Sequence, residues 1–281
     1  MSVFPQFAQQ DNHGGFQQQD ADECFQGILT TLDPALSSKD GSLIDKLFSF
    51  KVKYTWTNTE CADEPAYDTE EILRRLPCII DNQAHPINQL TEGIEAALQG
   101  EIEKKSEVME RNCIYNKIGK ISTLPDYLIV QNIRFIWKEK DQGTVTDARK
   151  AKILRCVNFP KILNLDAFCI PELRQTFKEV REKLKVADEE RVKKAEADFE
   201  DFKKKHEKSE LDTLKLNKNF KEGRKEVEIK EHEDQLWHDL SIGTPVGEYE
   251  LIGVITHKGR SADSGHYVGW VQSRGGILNV I

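Results

Sequence analysis

The chain contains segments whose apolar residues recur at helical spacing and others in which apolar and polar residues alternate. Residues 17–24 open an amphipathic helix, since their acidic side chains suit the positive end of a helix dipole, and Asp33-Pro34 stops it. Its predicted apolar face consists of Phe25, Ile28, Leu29 and Leu32. A second apolar stripe predicts another helix, which Gly100 ends. The members of that stripe are Leu90, Ile94, Ala97 and Leu98.

Strands are predicted where apolar and polar residues alternate or where apolar residues form short runs. The predicted strands cover residues 47–57, 76–80, 128–137 and 153–165, the last of them broken at 157–160. The segment 128–137 is the most apolar, so we expect it at the centre of a sheet. The polar segments 59–70 and 138–152 are expected to be loops.

The composition changes after residue 171, where lysine and glutamate become dominant. Apolar residues at 173–184 keep helical spacing, and a thin apolar stripe continues into the Lys- and Glu-rich segment 186–235. A solvated helical insert at about 173–235 is favoured over a short coiled coil. The reason is that the stripe shifts register between Leu184 and Val192 and lacks sustained heptads.

Two strand-like runs near the end of the sequence, residues 249–257 and 266–271, are joined by a polar loop and predict a β-hairpin. His257 would end the first strand, and His266 would begin the second. A histidine at a strand end, reachable from solvent, suits a general base. The alternative is that His266 only packs or caps, and the hairpin pattern alone leaves both interpretations open.

Composition and charge narrow the class of protein. The 281 residues carry a net charge of -8, which disfavours nucleic acid as a partner and favours a basic protein or peptide. The first residues show no secretion signal and no stretch reaches the length of a membrane span, so no membrane association is expected.

Six scattered cysteines suggest a reducing setting, cytoplasmic or nuclear. None stand at Cys-x-x-Cys spacing, so we expect no structural zinc and no cofactor.

Several motifs together point to one family. Residues 251–270 read Leu-x-x-Val-x-x-His-x-Gly and then Ser-Gly-His-Tyr-Val-x-Trp, which resembles the histidine box of the ubiquitin-specific proteases. Gln-Gln-Asp-Ala-x-Glu at residues 18–23 resembles the second box of that family. Phe-Pro-Gln-Phe-Ala at 4–8 and Leu-Pro-x-Tyr-Leu at 124–128 look like its proteasome-associated branch.

The resemblance implies an α+β, papain-like cysteine protease fold with palm, fingers and part of a thumb. Residues 1–281 would be an incomplete catalytic domain of this type, interrupted by the charged insert. The implied reaction in a complete protein is thiol-dependent hydrolysis of bonds at the C-terminal glycine of ubiquitin. Ubiquitin or its conjugates are therefore the expected partners. The resemblance to the proteasome-associated branch implies the proteasome as a further partner.

The family pattern also implies roles for individual residues. His266 matches the catalytic histidine. The residues implied to line the channel for the arginine-bearing ubiquitin tail are Gln18, Asp20, Glu23, His257 and Tyr267. Carboxylates suit this role because they accept the planar arginine fork in bidentate fashion, and capping of the helix by the same residues is compatible with it. Two loops are implied to gate the channel, residues 138–152 and a second loop that contains Gly259, Arg260, Ser261, Ser264 and Gly265.

The catalytic partners of His266 are not recognisable. The family nucleophile lies in an Asn-x-Gly-Asn-x-Cys box, which this sequence lacks, and Cys24 is flanked by carboxylates that disfavour a thiolate. Asn279 does not stand in the aromatic-Asp context of the third catalytic residue. Three interpretations stay open: a fragment of a deubiquitinase, a catalytically inactive ubiquitin-binding pseudoenzyme, and a coiled-coil interaction element on a degenerate scaffold.

Overall fold

The computed structural model describes residues 4–8, 14, 19–39, 41–81, 86–138, 149–206, 246–259, 265–272 and 278–280. The chain divides into two compact units. The first comprises Met1–Ile170 and Glu248–Ile281, and the second comprises Pro171–Gly247. All candidate site residues belong to the first unit.

The described part of the chain contains four α-helices and fifteen strands. The helices are α1 (Ala21–Leu32), α2 (Leu43–Phe48), α3 (Leu90–Leu98) and α4 (Pro171–His206). The first eight strands are β1 (Ser37–Ser38), β2 (Gly41–Ser42), β3 (Phe50–Asn58), β4 (Tyr67–Leu73), β5 (Leu76–Ile79), β6 (Gln99–Lys105), β7 (Asn112–Ile121) and β8 (Val130–Ile133). The others are β9 (Phe135–Lys138), β10 (Arg149–Lys152), β11 (Ile162–Asn164), β12 (Glu248–Glu250), β13 (Gly253–Lys258), β14 (His266–Gln272) and β15 (Leu278–Val280).

The largest sheet is antiparallel, with the strand order β4-β3-β7-β6. Along β3, Phe50, Val52 and Tyr54 are buried, while the lysines between them are not. This alternation places one face of β3 in the core, as the period of two in a strand requires. Ile121, the register partner of Val52 on β7, is buried as well, so the core continues across both strands.

The helix α3 lies against β5, which pairs in parallel with β8. Its apolar face, Leu90, Ile94 and Leu98, is buried. The helix begins with a capping box, in which the Glu92 carboxylate accepts hydrogen bonds from the backbone N–H groups of Asn88 at 2.9 Å and Gln89 at 3.0 Å. The start of α3 is therefore fixed by its own side chains, and its position by the buried face.

A carboxylate organises the connection between β3 and β4. Glu64 accepts hydrogen bonds from Asn58 Nδ2 at 2.7 Å, Ser106 Oγ at 2.6 Å and the Tyr115 hydroxyl at 2.5 Å. Ser106 and Tyr115 are 0% and 2% exposed. The hydrogen bond from Ser106, and then those from Tyr115 and Asn58, lowers the pKa of Glu64. The carboxylate thus joins this connection to β3, β7 and the segment that follows β6.

Replacing Glu64 with glutamine is expected to destabilise the first unit in a pH-dependent way. The pKa of Glu64 in the folded chain lies below its ordinary 4.5, so the carboxylate stabilises the fold fully above that pH. The contribution is lost as the pH falls through the lowered folded pKa. Urea unfolding of wild type and E64Q from pH 7 downwards measures this, and the difference in unfolding free energy should narrow on acidification.

The control for that experiment is E107Q, which removes a neighbouring exposed carboxylate. It should unfold like wild type at every pH. A stability difference between wild type and E64Q that stays constant down to pH 2 would contradict the assigned role of the Glu64 charge.

Several predicted boundaries in the first half are wrong. Leu47 and Phe48, predicted to begin a strand, belong to α2, because Ser42 caps that helix by accepting a hydrogen bond from the Asp45 N–H at 3.1 Å. Residues 67–70, predicted as loop, open β4, since they pair along β3. Gly100 does not cap α3 but lies in β6, which follows the helix directly.

The segment 128–137 is not one central strand, contrary to the prediction. It splits at Arg134 into β8 and β9, each of which pairs with one neighbour within the described residues. Arg134 Nη1 donates to the carbonyls of Ile153 at 3.0 Å and Arg155 at 2.8 Å, which holds the chain where its pairing partner changes. The expected loop at 138–152 includes β10 at its end. Residues 153–165 form a regular strand only at β11.

The second unit contains α4, whose exposed apolar side chains include Val186, Val192 and Phe199. Arg181 Nε donates to the Val246 carbonyl at 2.9 Å. Gly247 has a φ of 74°, and a Cβ there would collide with the Phe177 ring. The insert bounds 173–235 stay a prediction, because residues 207–245 lie outside the described part. Within the described residues, no helix is both long and apolar enough to cross a membrane.

Candidate functional site

The predicted hairpin is confirmed, and its register decides which side chains share a face. Strands β13 and β14 pair antiparallel, with His257 opposite Tyr267 and Lys258 opposite His266. Because side chains alternate along a strand, His257 and Tyr267 lie on one face of the hairpin, and Lys258 and His266 lie on the other. The two histidines therefore occupy different environments.

His257 lies between two aromatic rings. Its ring centroid is 4.9 Å from that of Tyr267 and 5.7 Å from that of Phe135, which meets it edge-on. The Nε2 atom is buried and has no hydrogen-bond partner among the described residues. Gly265 lies directly over it, since a Cβ at that position would stand 2.5 Å from Nε2. His257 is thus a fixed, packed imidazole rather than a mobile surface side chain.

Lys152, at the end of β10, holds the other edge of the same ring. Its Nζ lies 3.0 Å from His257 Nδ1 and donates to the carbonyls of His257 and Gly259, each at 2.7 Å. Burial lowers the pKa of Lys152, and the charge of Arg134 lowers it further.

The acidic start of α1 faces these groups. Asp20 caps the helix, since its Oδ1 accepts a hydrogen bond from the Asp22 N–H at 2.8 Å. Burial raises the pKa of Tyr267 and the Asp20 charge raises it further, while a hydrogen bond from the Ala21 backbone N–H opposes both. The end of the hairpin that carries Tyr267 is therefore placed at the N-terminus of α1.

The charge state of His257 follows from its neighbours. Burial lowers its pKa, the Lys152 ammonium lowers it as well, and the Asp20 carboxylate acts in the opposite direction. The net shift is downward from 6.5, so the imidazole is neutral at pH 7. A neutral imidazole can donate one hydrogen bond and accept another.

The three acids of α1 have different partners. Asp22 is engaged inside the unit, forming an ion pair with Arg75 and accepting a hydrogen bond from Gln131 Nε2 at 2.9 Å. Among the described residues, Asp20 keeps one carboxylate oxygen beyond its capping bond, and Glu23 is exposed. Asp20 and Glu23 are therefore the acids of this helix that remain available to a cationic ligand.

His266 begins β14 and is exposed. Within the described part of the chain it makes no hydrogen bond or ion pair. Its imidazole is thus open to solvent on the face that it shares with Lys258.

None of the six cysteines, all of which are described, has the setting of an activated thiol. Cys78, Cys113 and Cys169 are buried, and burial raises the pKa of Cys78 to about 11. Cys24 and Cys61 are half-buried, and Cys156 is exposed. No group of three or more metal-ligating side chains forms among the described residues.

The other predicted site residues are located as follows. Gln18, Arg260, Ser261 and Ser264 lie outside the described residues. Gly259 and Gly265 are described, and both have positive φ angles, 136° and 151°. Sequence reasoning placed Phe135 only in an Arg-Phe pair that resembles the family, and Lys152 only at the end of the predicted gating loop 138–152. It missed their contacts with His257, because these join residues more than a hundred positions apart.

Comparison with known proteins identifies the class. The family described as ubiquitin carboxyl-terminal hydrolase matches residues 2–276. Ubiquitin carboxyl-terminal hydrolase 6 of Arabidopsis thaliana is 35% identical over 97% of this chain and 54% of its own length. The Schizosaccharomyces pombe protein of the same name is 33% identical over 96% and 54%. Ubiquitin carboxyl-terminal hydrolase 14 of Caenorhabditis elegans is 30% identical over 96% and 48%.

Solved structures show the same fold. A chain of the SAGA Ubp8/Sgf11/Sus1/Sgf73 DUB module bound to ubiquitin aldehyde superposes with a TM-score of 0.53 at 16% identity, covering 96% of this chain and 47% of that one. The α+β, papain-like fold of the ubiquitin-specific protease type is therefore confirmed. The chain belongs to the ubiquitin carboxyl-terminal hydrolase family. It spans about half the length of the curated relatives that it matches.

Proposed function

We propose that this chain supplies the ubiquitin-tail site and the general base of a deubiquitinase. In the reaction, a cysteine thiolate attacks the bond at the C-terminal glycine of ubiquitin, and His266 takes up the thiol proton and later returns it to the leaving group. The observation that carries the proposal is the pairing of His257 with Tyr267 on one face of the β13–β14 hairpin, where Tyr267 meets the start of the helix that Asp20 caps.

Tail recognition would use the acids of α1 that have no cationic partner within the described part of the chain. Asp20 and Glu23 can receive arginine side chains of the tail, whereas Asp22 is already paired with Arg75. A carboxylate and a guanidinium form a charge-assisted pair, which is stronger than a neutral hydrogen bond. His257 and Tyr267 would line the same channel on the other side of Asp20.

The second candidate is a catalytically inactive module that binds ubiquitin. The state of the cysteines favours it, since three are buried and the pKa of Cys78 is raised to about 11. Incubating the purified chain with a ubiquitin C-terminal electrophile tests this second candidate, because covalent capture would refute it. Covalent capture would identify a nucleophile among the six cysteines, and its absence together with reversible binding would support the inactive module.

Other properties remain part of the proposal. Proteasomal degradation is the proposed context and the proteasome a proposed second partner, on the strength of the motifs at 4–8 and 124–128. The proposed location is the cytoplasm, extending to the nucleus, as the scattered cysteines suggest.

Replacing Asp20 with asparagine is expected to weaken ubiquitin binding about tenfold, which corresponds to the loss of one charge-assisted contact of roughly 1.4 kcal/mol. Asparagine is as good an N-cap as aspartate, so α1 and the stability of the unit should be retained. Isothermal titration with ubiquitin measures the affinity, and urea unfolding checks the fold.

Two controls make this experiment specific. E95Q removes one exposed carboxylate from α3 and should bind ubiquitin like wild type. Ubiquitin that lacks its arginine-bearing tail should bind wild type and D20N equally. If D20N binds intact ubiquitin as tightly as wild type does, the tail site assigned to α1 is wrong.

A further inference from the structure

Lys152 makes an unusual set of contacts for a lysine at the end of a strand. Its Nζ lies within hydrogen-bond distance of three atoms, the carbonyl oxygens of His257 and Gly259 at 2.7 Å and the Nδ1 of His257 at 3.0 Å. An ammonium group has three protons and no lone pair. Three acceptors therefore account for all of its protons, and Nδ1 has to be one of those acceptors.

This contact determines where the imidazole proton lies. If Nδ1 accepts from an ammonium, it carries no proton, so the neutral ring is protonated on Nε2. The opposite arrangement requires a neutral lysine amine that accepts a hydrogen bond from Nδ1–H. Because the two arrangements give opposite tautomers of His257, the tautomer reports directly on the role of Lys152.

The same lysine joins two parts of the chain that are far apart in sequence. Lys152 pairs with Phe135 at the base of the β9–β10 hairpin. His257 lies near the end of β13 and Gly259 just after it, where the chain enters the loop between β13 and β14. Lys152 therefore contacts the beginning of the loop that follows β13 and itself ends the segment 138–152. These are the two segments that the family resemblance implies to be gating loops.

We propose that Lys152 is a positioning residue, which holds His257 as the neutral Nε2–H tautomer and fixes the end of β13 to the end of β10. The effect of Lys152 on ubiquitin binding rests on the proposed function, whereas its effect on the His257 tautomer does not. The preset ring lies beneath Gly265 and beside Tyr267, the two residues that flank His266, and its buried Nε2 has no hydrogen-bond partner among the described residues. Holding the ring in place therefore also holds the start of β14, where Tyr267 would line the channel for the tail.

The test begins with the wild-type chain and needs no variant. Histidine is labelled with ¹⁵N, and long-range ¹H–¹⁵N correlation spectra identify the protonated ring nitrogen at neutral pH. H257Q assigns the signal among the seven histidines. Protonation on Nε2 is expected, and protonation on Nδ1 overturns the proposal.

Variants then test whether Lys152 causes that state. In K152M the tautomer preference should be lost and the titration midpoint of His257 should move to higher pH. The groups around the ring are Lys152 from β10, Asp20 from the cap of α1, Tyr267 from β14 and Phe135 from β9, with Arg134 acting on Lys152. Removing the cation leaves Asp20 as the charged neighbour, and a carboxylate favours the imidazolium.

K152R is the conservative variant and should retain the Nε2–H tautomer, since a guanidinium is also a donor without a lone pair. K120M is the matched control, because Lys120 also donates to a backbone carbonyl, that of Ala167 at 2.8 Å, outside this site. K120M should leave the His257 spectrum unchanged. If K152M also leaves the tautomer and the titration of His257 unchanged, Lys152 is not the positioning residue.

The test of Lys152 can succeed or fail independently of the test of the proposed function. The tautomer is measured in the free chain, whereas ubiquitin affinity is measured by titration. A wild-type chain with the Nε2–H tautomer and no affinity for ubiquitin would refute the tail site and uphold the role of Lys152. If ubiquitin binds, K152M should weaken binding about tenfold and K120M should not change it.

Discussion

Replacing Gly93 with alanine is expected to destabilise the first unit by about 1–3 kcal/mol, the usual cost of overpacking a filled core. Gly93 lies in the buried face of α3, and a Cβ there would overlap both the Cys78 sulfur and the Ile79 carbonyl oxygen of β5. The carbonyl belongs to the backbone, so it cannot turn away as a flexible side chain would. Alanine has a higher helix propensity by about 1 kcal/mol, and the steric cost has to exceed that gain.

Urea unfolding followed by tryptophan fluorescence measures the effect as a lower midpoint with an unchanged slope. The control is G100A, because a Cβ at Gly100 meets no atom within 4 Å. G100A should stay within about 0.5 kcal/mol of wild type, as exposed substitutions usually do. A G93A variant as stable as wild type would show that α3 does not lie as close to β5 as the structure has it.

The fold could be predicted where a periodic pattern and a local signal agree. The helix α1 has both, with an acidic cap at Asp20 and a predicted apolar face of which Leu29 is buried, although Ile28 and Leu32 are exposed. The β13–β14 hairpin was predicted for the same reason, since two alternating runs flank a short polar loop. In such segments the chain specifies its structure through neighbours in sequence.

The prediction failed where the pairing partner is remote. The segment 128–137 is continuous in its apolar character, but it changes partner at Arg134, from β5 on one side to β10 on the other. Strands β6 and β7 were not predicted, although β7 lies inside the largest sheet. The sequence of β6 is largely polar, which gives it a weak strand signal, and β7 is placed in the sheet by its pairing with β3, which is remote in sequence.

The candidate site divides in the same way. The resemblance to the boxes of the ubiquitin-specific proteases singled out Asp20, His257, His266 and Tyr267. The sequence could not reveal that Asp22 is neutralised by Arg75 while Asp20 is not, since that difference depends on a residue 53 positions away. Nor could it reveal Lys152, which reaches His257 across 105 positions.

These remote contacts explain why the acids of α1 are not equivalent. The Arg75 guanidinium and the Gln131 side-chain amide both donate hydrogen bonds to the Asp22 carboxylate. Asp20 satisfies a helix N–H with one oxygen, and its charge acts on His257 and Tyr267. A ligand cation would therefore meet Asp20 without having to displace a cation of the described residues, which lowers the cost of binding.

Replacing Gly265 with alanine is expected to have the largest effect on the site itself. Gly265 has a φ of 151°, a conformation that costs other residues about 1–3 kcal/mol. An added Cβ would also stand 2.5 Å from His257 Nε2 and 2.8 Å from Cε1, and it would overlap the Lys258 carbonyl oxygen. The strand end has to move away from His257, so His266 and Tyr267 lose their positions together.

The measurement combines the ¹⁵N spectrum of His257 with urea unfolding. G265A should shift the ring signals of His257, lower the unfolding free energy by about 1–3 kcal/mol and weaken any ubiquitin binding by tenfold or more. G269A is the matched control on the same strand, where a Cβ meets no atom within 4 Å. G269A adds the same methyl group without the collision, so it should behave like wild type. If G269A loses as much stability and ubiquitin affinity as G265A does, the contact between Gly265 and His257 is not the cause of the loss.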